Sequence, residues 1–108
     1  VSMDADHWTP AEKRIARRVF DAALDRELAQ VIAEFKRRAA AAVEPRDMWA
    51  VEQSLSKAGR DINAKYDYRY SVLEFVLARL LREGRIEDSE LNGLSDDRLE
   101  RIRRIAAL

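Results

Sequence analysis

The feature that most constrains the fold of this chain is a long segment that contains no helix breaker. Thr9, Pro10 and Glu12 begin it as a capping box, in which the threonine caps free backbone amides and the glutamate reaches back to the cap. Neither proline nor glycine occurs again before Pro45. The sequence therefore predicts one helix from Pro10 to about Val43, which is about 34 residues and roughly 51 Å long.

Apolar side chains recur along this helix at steps of three and four residues, so that they lie on one face. They are Phe20, Leu24, Leu28, Val31, Phe35 and Ala39. The rest of a 108-residue chain is too short to cover a stripe of this length. We therefore expect the stripe to pack on a long antiparallel helix, on a second copy of the chain, or on both.

A second helix is predicted to begin at Pro45, and its apolar residues follow at steps of three and four. They are Met48, Val51, Leu55, Ala58 and Ile62. This spacing is typical of a helix that pairs with other helices. We expect the four large members of this seam, all except Ala58, to form the interface of a homodimer. Trp49 lies one residue off the seam, and two interpretations of it stay open: a core residue or a partly exposed interface residue.

After the seam, three tyrosines alternate with charged side chains. They are Tyr66, Tyr68 and Tyr70. We expect them to pack and form hydrogen bonds in a corner of the fold rather than to stack on a nucleobase or a pigment ring. Asp67 is predicted to cap a third helix that runs to Glu83 and is apolar almost all round, as at the centre of a bundle. Gly84 is a good stop for that helix.

The remaining chain holds a short helical turn around Asp88–Leu91 and an amphipathic last helix at residues 96–107. The sequence therefore predicts an all-α fold with two long stalk helices and a small helical head, in a dimeric assembly. It predicts one domain over residues 1–108, with the stalk at about 9–66 and the head at about 67–108.

The residue types exclude several kinds of site. The single histidine, His7, lies among the polar residues 1–8, which we expect to fray, and no neighbour fixes it for catalysis. The chain has no cysteine, so disulfides, thiol chemistry and cysteine-based zinc sites are excluded, and a reducing cytoplasm is the expected location. No phosphate-binding loop or nucleophile motif occurs. We therefore expect no enzymatic activity, no metal and no cofactor.

Charge and hydropathy limit the kinds of partner. The 20 basic and 20 acidic side chains cancel, which argues against nucleic acid as the main partner. The most apolar stretch, Val72–Leu81, contains Glu74 and Arg79 and is too short to cross a bilayer, so we expect no membrane partner. What remains is a protein that acts by binding another protein.

Several short segments of the chain form a familiar pattern. The most specific one runs from Lys65 to Val72, and Trp49 lies sixteen residues before the lysine. Further matches are Trp8 before a capped helix, Arg26-Glu27-Leu28, Asp47-Met48-Trp49, Leu55-Ser56, Phe75-Val76, Glu83-Gly84 and Glu90-Leu91. Together these segments resemble the cyanobacterial fluorescence recovery protein family, over nearly the whole chain.

This resemblance implies both a fold and a function. The family's fold is a helical homodimer with long stalk helices and a helical head. Its members bind the orange carotenoid protein, speed its return from the red, quenching form to the orange form, and help it leave the phycobilisome, without covalent chemistry. The resemblance also implies that Trp49 is an interface tryptophan, that Met48 is a dimer contact, and that Phe75 and Arg101 contact the partner.

The chain departs from the family at one patch. One to three turns beyond the tryptophan, the family has a histidine, an aspartate and a key arginine, and the matching positions here hold Glu52, Gln53 and Gly59. Arg60 follows one residue later, about 100° round the helix. The candidate partner-binding residues are Trp49, Gln53, Arg60, Phe75 and Arg101. An alternative hypothesis is a family-like dimer that binds a different bacterial protein, such as a signalling protein, without carotenoid-protein activity.

Overall fold

The computed structural model describes residues 7–108, and the regular structure in this range is helical. Its elements are α1 (Pro10–Ala41), α2 (Pro45–Lys65), α3 (Leu73–Arg82), a short 3-10 helix (Asp88–Leu91) and α4 (Asp96–Ala106). The all-α prediction is confirmed. The molecule is elongated, with extents of 61 × 26 × 23 Å. Its radius of gyration of 17.3 Å exceeds the value of about 13 Å for a compact chain of this length.

The N-terminal end of α1 is firmly anchored. The N–H of Glu12 donates to Thr9 Oγ1 at 3.1 Å, and the N–H of Thr9 donates to the Glu12 carboxylate at 3.2 Å, which confirms the predicted capping box. Trp8 is only 3% exposed, and its ring lies against the guanidinium of Arg98. The prediction that residues 1–8 fray is therefore wrong for Trp8, because a large aromatic side chain is buried there. Residues 1–6 lie outside the described part of the chain.

A tight turn joins α1 to α2. Asp47 accepts hydrogen bonds from the N–H groups of Val43 and Glu44, at 3.0 and 2.9 Å. A residue that precedes proline avoids helical backbone, and Glu44 precedes Pro45. The first helix therefore ends at Ala41, slightly before the predicted end at Val43.

The core of the head takes residues from both ends of the chain. The N-terminal part contributes Trp8, Ala16, Val19, Phe20 and Ala23. The C-terminal part contributes Leu73, Val76, Leu77, Ala78, Leu80, Ile86, Leu91, Leu94, Leu99 and Ile102. The first half of α1 is thus packed in the head, while its second half forms the stalk with α2. The predicted division at about residue 66 follows the order of the chain, whereas packing places the boundary within α1.

The third helix begins later than expected. It starts at Leu73, and the prediction that Asp67 caps it is wrong. The carboxylate of Asp67 instead accepts from the Arg69 guanidinium at 2.6 Å, and the chain stays non-helical up to α3 so that tyrosine rings can turn towards α1. The predicted stop at Gly84 is confirmed. This residue has φ +72°, which favours glycine, and its N–H donates to the carbonyl of Leu81 at 3.1 Å.

Candidate functional site

The stalk carries an apolar face that the described chain covers only in part. It consists of Leu28, Ile32 and Phe35 on α1 and of Met48 and Leu55 on α2, and we call these five residues the stalk face. Each of them is between 40% and 58% exposed. A cleft of about 440 Å³, lined by residues of both helices, joins the two rows into one surface. An apolar surface of this kind marks an interaction site.

The structure divides the predicted seam of α2 between two directions. Met48 points outward, Val51 and Ala58 line the groove against α1, and Leu55 lines the same groove while 41% of it stays exposed. The cause is that residues at steps of three and four spread over a wide arc of the helix, so that one flank meets α1 and the other meets solvent. Ile62 is only 8% exposed. It is covered within the single chain and leaves little surface for a second copy, and its place in a dimer interface stays a prediction.

Trp49 lies beside the stalk face and is 63% exposed, so in the single chain it is not a core residue. Gln53 and Arg60 follow it at steps of four and seven, on the same side of α2, and both are exposed. A β-carbon added at Gly59 would meet no atom within 4 Å. Position 59 therefore has room for a larger side chain, such as the arginine that the family resemblance implies there.

Phe75 and Arg101 lie on two neighbouring helices of the head, α3 and α4. Phe75 is 61% exposed and borders a cleft of about 410 Å³, together with Trp8 and Tyr70. Glu74 lies beside Phe75 in α3 and accepts two hydrogen bonds, both 2.9 Å long, from the guanidinium of Arg101 in α4. We call this region the head surface. The candidate partner-binding residues thus form two surfaces, one on the stalk and one on the head.

A row of aromatic rings joins the non-helical segment before α3 to α1. Phe20 packs edge-on against Tyr66 and Tyr68, with ring centroids 5.3 and 4.9 Å apart. Tyr68 contacts Tyr70 at 5.6 Å, and Tyr70 contacts Trp8 at 5.8 Å. Burial, followed by hydrogen bonding with Tyr70, raises the pKa of Tyr68 to about 12. The expected packing of the tyrosines is confirmed for Tyr66 and Tyr68, whereas Tyr70 is partly exposed.

A cluster of charged side chains is buried where α2 ends. The Nζ atom of Lys65 lies 2.7 Å from a carboxylate oxygen of Glu27 and 2.9 Å from one of Glu83. Tyr66 donates its hydroxyl to Glu27 at 2.8 Å. Burial alone would raise the pKa of Glu83, but hydrogen bonds from Lys65 and neighbouring arginines outweigh it and lower this pKa to about 2.

Between residues 7 and 108, no group of three or more histidine, aspartate and glutamate side chains is placed to hold a metal ion. His7 is exposed, and its backbone carbonyl accepts from Arg98 at 3.2 Å. In the same range, no helix is both long and apolar enough to span a bilayer.

Sequence reasoning missed part of the stalk face. The predicted stripe on α1 included Val31 but not Ile32, whereas Val31 lines the groove against α2 and Ile32 lies outside it. The signal that identifies Ile32 is its spacing from Leu28 and Phe35, at steps of four and three. The buried cluster was missed as well, because Lys65 and Glu27 are 38 positions apart in the chain.

Comparisons with known proteins agree with this architecture. The family described as photoprotection regulator fluorescence recovery protein matches residues 8–106. The fluorescence recovery protein of Synechocystis sp. PCC 6803 is 36% identical over 101 residues, which cover 94% of this chain and 93% of that protein. Its solved structure has a TM-score of 0.90 at 35% identity, and that of the Fremyella diplosiphon protein has a TM-score of 0.90 at 34% identity. Each of these two structural matches covers 94% of this chain and 100% of the chain in the solved structure. The chain belongs to the fluorescence recovery protein family.

Proposed function

We propose that this chain is a homodimeric regulator of the orange carotenoid protein. It binds the red, light-activated form of that protein, accelerates its return to the orange form and promotes its release from the phycobilisome. The observation that carries this proposal is the family match over residues 8–106. The exposed stalk face and head surface supply the two contacts that the proposal needs, one for a second copy and one for the partner.

The homodimer follows from the stalk face. A two-fold axis sets the same patch of a second copy against it, so that each patch covers the other. Burial of apolar surface contributes about 25 cal/mol per Å². Five large apolar side chains in one surface, with Trp49 at the edge, are a suitable centre for such an interface. In the dimer, the second copy covers the apolar stripe of α1 that the rest of a single chain is too short to cover.

The acceleration follows from differential binding. A protein that speeds a conformational change must bind the barrier state more tightly than it binds the starting state. Each tenfold acceleration requires about 1.4 kcal/mol of this difference. Truncation to alanine of a single well-placed aromatic or arginine side chain in an interface typically costs about 2 kcal/mol or more of binding free energy. Two such anchors, Phe75 and Arg101, are therefore enough to supply the effect, and no covalent step is needed.

The stalk contributes a second group of partner contacts in this proposal. Trp49, Gln53 and Arg60 share one side of α2, and all three are exposed. They flank the stalk face rather than belong to it, so they remain accessible at the rim of a dimer. A partner that contacts the head surface and this rim would engage both parts of the molecule.

Binding of each form of the carotenoid protein tests this proposal. The protein is mixed with purified orange carotenoid protein and run on a sizing column, once under light that maintains the red form and once in darkness with the orange form. We expect a complex with the red form, weakened by Phe75→Ala and unaffected by Leu108→Ala, which truncates an exposed residue outside both surfaces. Separate elution in both states would contradict the proposal and favour a different bacterial partner.

A further inference from the structure

One buried ammonium group joins three helices. Lys65 is the last residue of α2, and its side chain is only 6% exposed. It contacts Glu27, in the middle of α1, at 2.7 Å, and Glu83, at the end of α3, at 2.9 Å. Because charge-assisted hydrogen bonds are directional and are strengthened away from water, this group fixes the three helices relative to one another.

The carboxylates of Glu27 and Glu83 also contact other polar side chains. Glu27 also accepts from the Tyr66 hydroxyl at 2.8 Å and lies 3.1 Å from Nε of Arg85. Glu83 also accepts from Arg79 at 2.9 Å. No buried side-chain nitrogen or oxygen in residues 7–108 lacks a hydrogen-bond partner. A fully satisfied polar network of this kind specifies one geometry, because any displacement leaves a buried charge unpaired.

The surroundings of the cluster are less constrained. Closer to the turn between α1 and α2, a cleft of about 160 Å³ separates the two helices. Beyond Lys65, the chain is non-helical until Leu73. Apolar contacts across a partly open groove tolerate sliding and rotation, since they have no preferred direction. The position of the end of α2 therefore depends on the bonds that Lys65 makes.

We propose that Lys65 is a positioning residue that sets where the C-terminal end of α2 packs against α1 and the head. Through this contact it fixes where Met48 and Leu55, the α2 part of the stalk face, stand relative to Phe75 on the head surface. The inference concerns the geometry of this chain alone, so it holds or fails independently of the partner that the head binds.

A distance measurement between spin labels tests the proposal. The chain contains no cysteine, so Arg60→Cys near the C-terminal end of α2 and Glu100→Cys on the head introduce two unique labelling sites, both at exposed residues. Doubly labelled chains are diluted into an excess of unlabelled chains, so that only distances within one chain are read. We expect one narrow distance distribution in the parent protein and its loss, by broadening or a second maximum, in Lys65→Met.

Lys57→Met is the matched control. It makes the same substitution in the same helix, but Lys57 is 71% exposed in its side chain and pairs with Asp61, one turn away. We expect this variant to keep the narrow distribution of the parent. A Lys65→Met distribution that is as narrow as that of Lys57→Met, and centred at the same distance, would overturn the proposal.

A second variant separates positioning from the effect of an uncompensated buried charge. Lys65→Met/Glu27→Gln removes one positive and one negative charge, so the charge balance of the cluster is restored. We expect its thermal midpoint to recover relative to Lys65→Met, while its distance distribution stays broad. A return of the narrow distribution in the double variant would show that charge balance and not positioning was responsible. This variant also provides the distance measurement if Lys65→Met alone does not fold.

Discussion

The guanidinium of Arg98 lies 3.8 Å from the centre of the Trp8 ring, which joins the last helix to the residue that precedes the first capping box. Arg98 is itself buried and donates to Glu74 of α3 at 3.0 Å and to the carbonyl of His7 at 3.2 Å. The N-terminal segment is therefore a structural part of the head. Its loss would open both the core and the head surface, because Trp8 also borders the cleft beside Phe75.

The two tryptophans of the chain should respond very differently to truncation. Trp8→Ala removes a buried ring that Arg98 covers, and we expect it to lower the free energy of unfolding by about 3–5 kcal/mol. Trp49→Ala removes an exposed side chain, and in a protein kept monomeric by Met48→Glu we expect a change within about 0.5 kcal/mol. Urea unfolding followed by far-ultraviolet circular dichroism measures both. If Trp8→Ala lowered the free energy of unfolding as little as Trp49→Ala does, Trp8 would not be part of the cooperative fold.

The oligomeric state should depend on the stalk face. Met48→Glu places a charge in the centre of an apolar interface, and we expect the dimer to dissociate into a monomer that keeps its helical content. Ala50→Glu is the control, because it adds the same side chain at an exposed position on the opposite side of α2. Sedimentation velocity distinguishes the two states. A folded dimer of Met48→Glu would show that the second copy binds elsewhere.

The buried cluster should give the fold an acid-sensitive contribution. The pKa of Glu83 in the folded state is about 2, below its ordinary value of 4.5. A lowered folded-state pKa stabilises the fold fully above the ordinary value, and this stabilisation is lost as the pH falls from 4.5 towards 2. We therefore expect the difference in urea midpoint between the parent and Glu83→Gln to be largest near neutral pH and to shrink through this range.

Glu100→Gln is the comparison for this pH series, because its partner Arg104 is exposed on the same helix face. We expect it to stay close to the parent at every pH, since exposed pairs contribute about 0–1 kcal/mol. A difference in urea midpoint between the parent and Glu83→Gln that is constant from neutral to acid pH would contradict the lowered pKa of Glu83.

Gly59 offers a gain-of-function experiment. Arginine at this position would restore the basic residue that the family resemblance implies, and the site is open in space. Both Gly59→Ala and Gly59→Arg should raise the free energy of unfolding by up to about 1 kcal/mol, because glycine is a poor helix former. Only Gly59→Arg should also increase the rate at which the red carotenoid protein relaxes. Equal relaxation rates for the two variants would show that an arginine at position 59 does not contribute to partner binding.

The sequence was sufficient for the helices because their ends depend on neighbouring residues. The capping box of Thr9 and Glu12, the proline at position 45 and the glycine at position 84 all act within one turn of the chain. Asp67 was misassigned because it has the chemistry of a cap, whereas the packing of Tyr66 and Tyr68 on Phe20 accompanies a non-helical backbone here. Contacts distant in the chain here outweigh a local preference.

The functional surfaces were only partly predictable. Met48 and Leu55 were identified from their spacing, and they are exposed as an interface requires. The same spacing could not show that Ile62 faces inward, because the direction of the neighbouring helix decides which flank of the seam is covered. The contacts of Lys65 with Glu27 and of Trp8 with Arg98 join distant positions of the chain, and no periodic pattern marks them.

The rate at which the red carotenoid protein returns to the orange form in darkness is the most direct test of the proposed function. The protein is added in equimolar amount to the photoconverted carotenoid protein, and the absorbance change gives a first-order rate constant. We expect an acceleration of about tenfold or more, corresponding to about 1.4 kcal/mol or more of differential binding. Phe75→Ala should remove most of this acceleration. A rate constant that is the same with and without the protein would contradict the account.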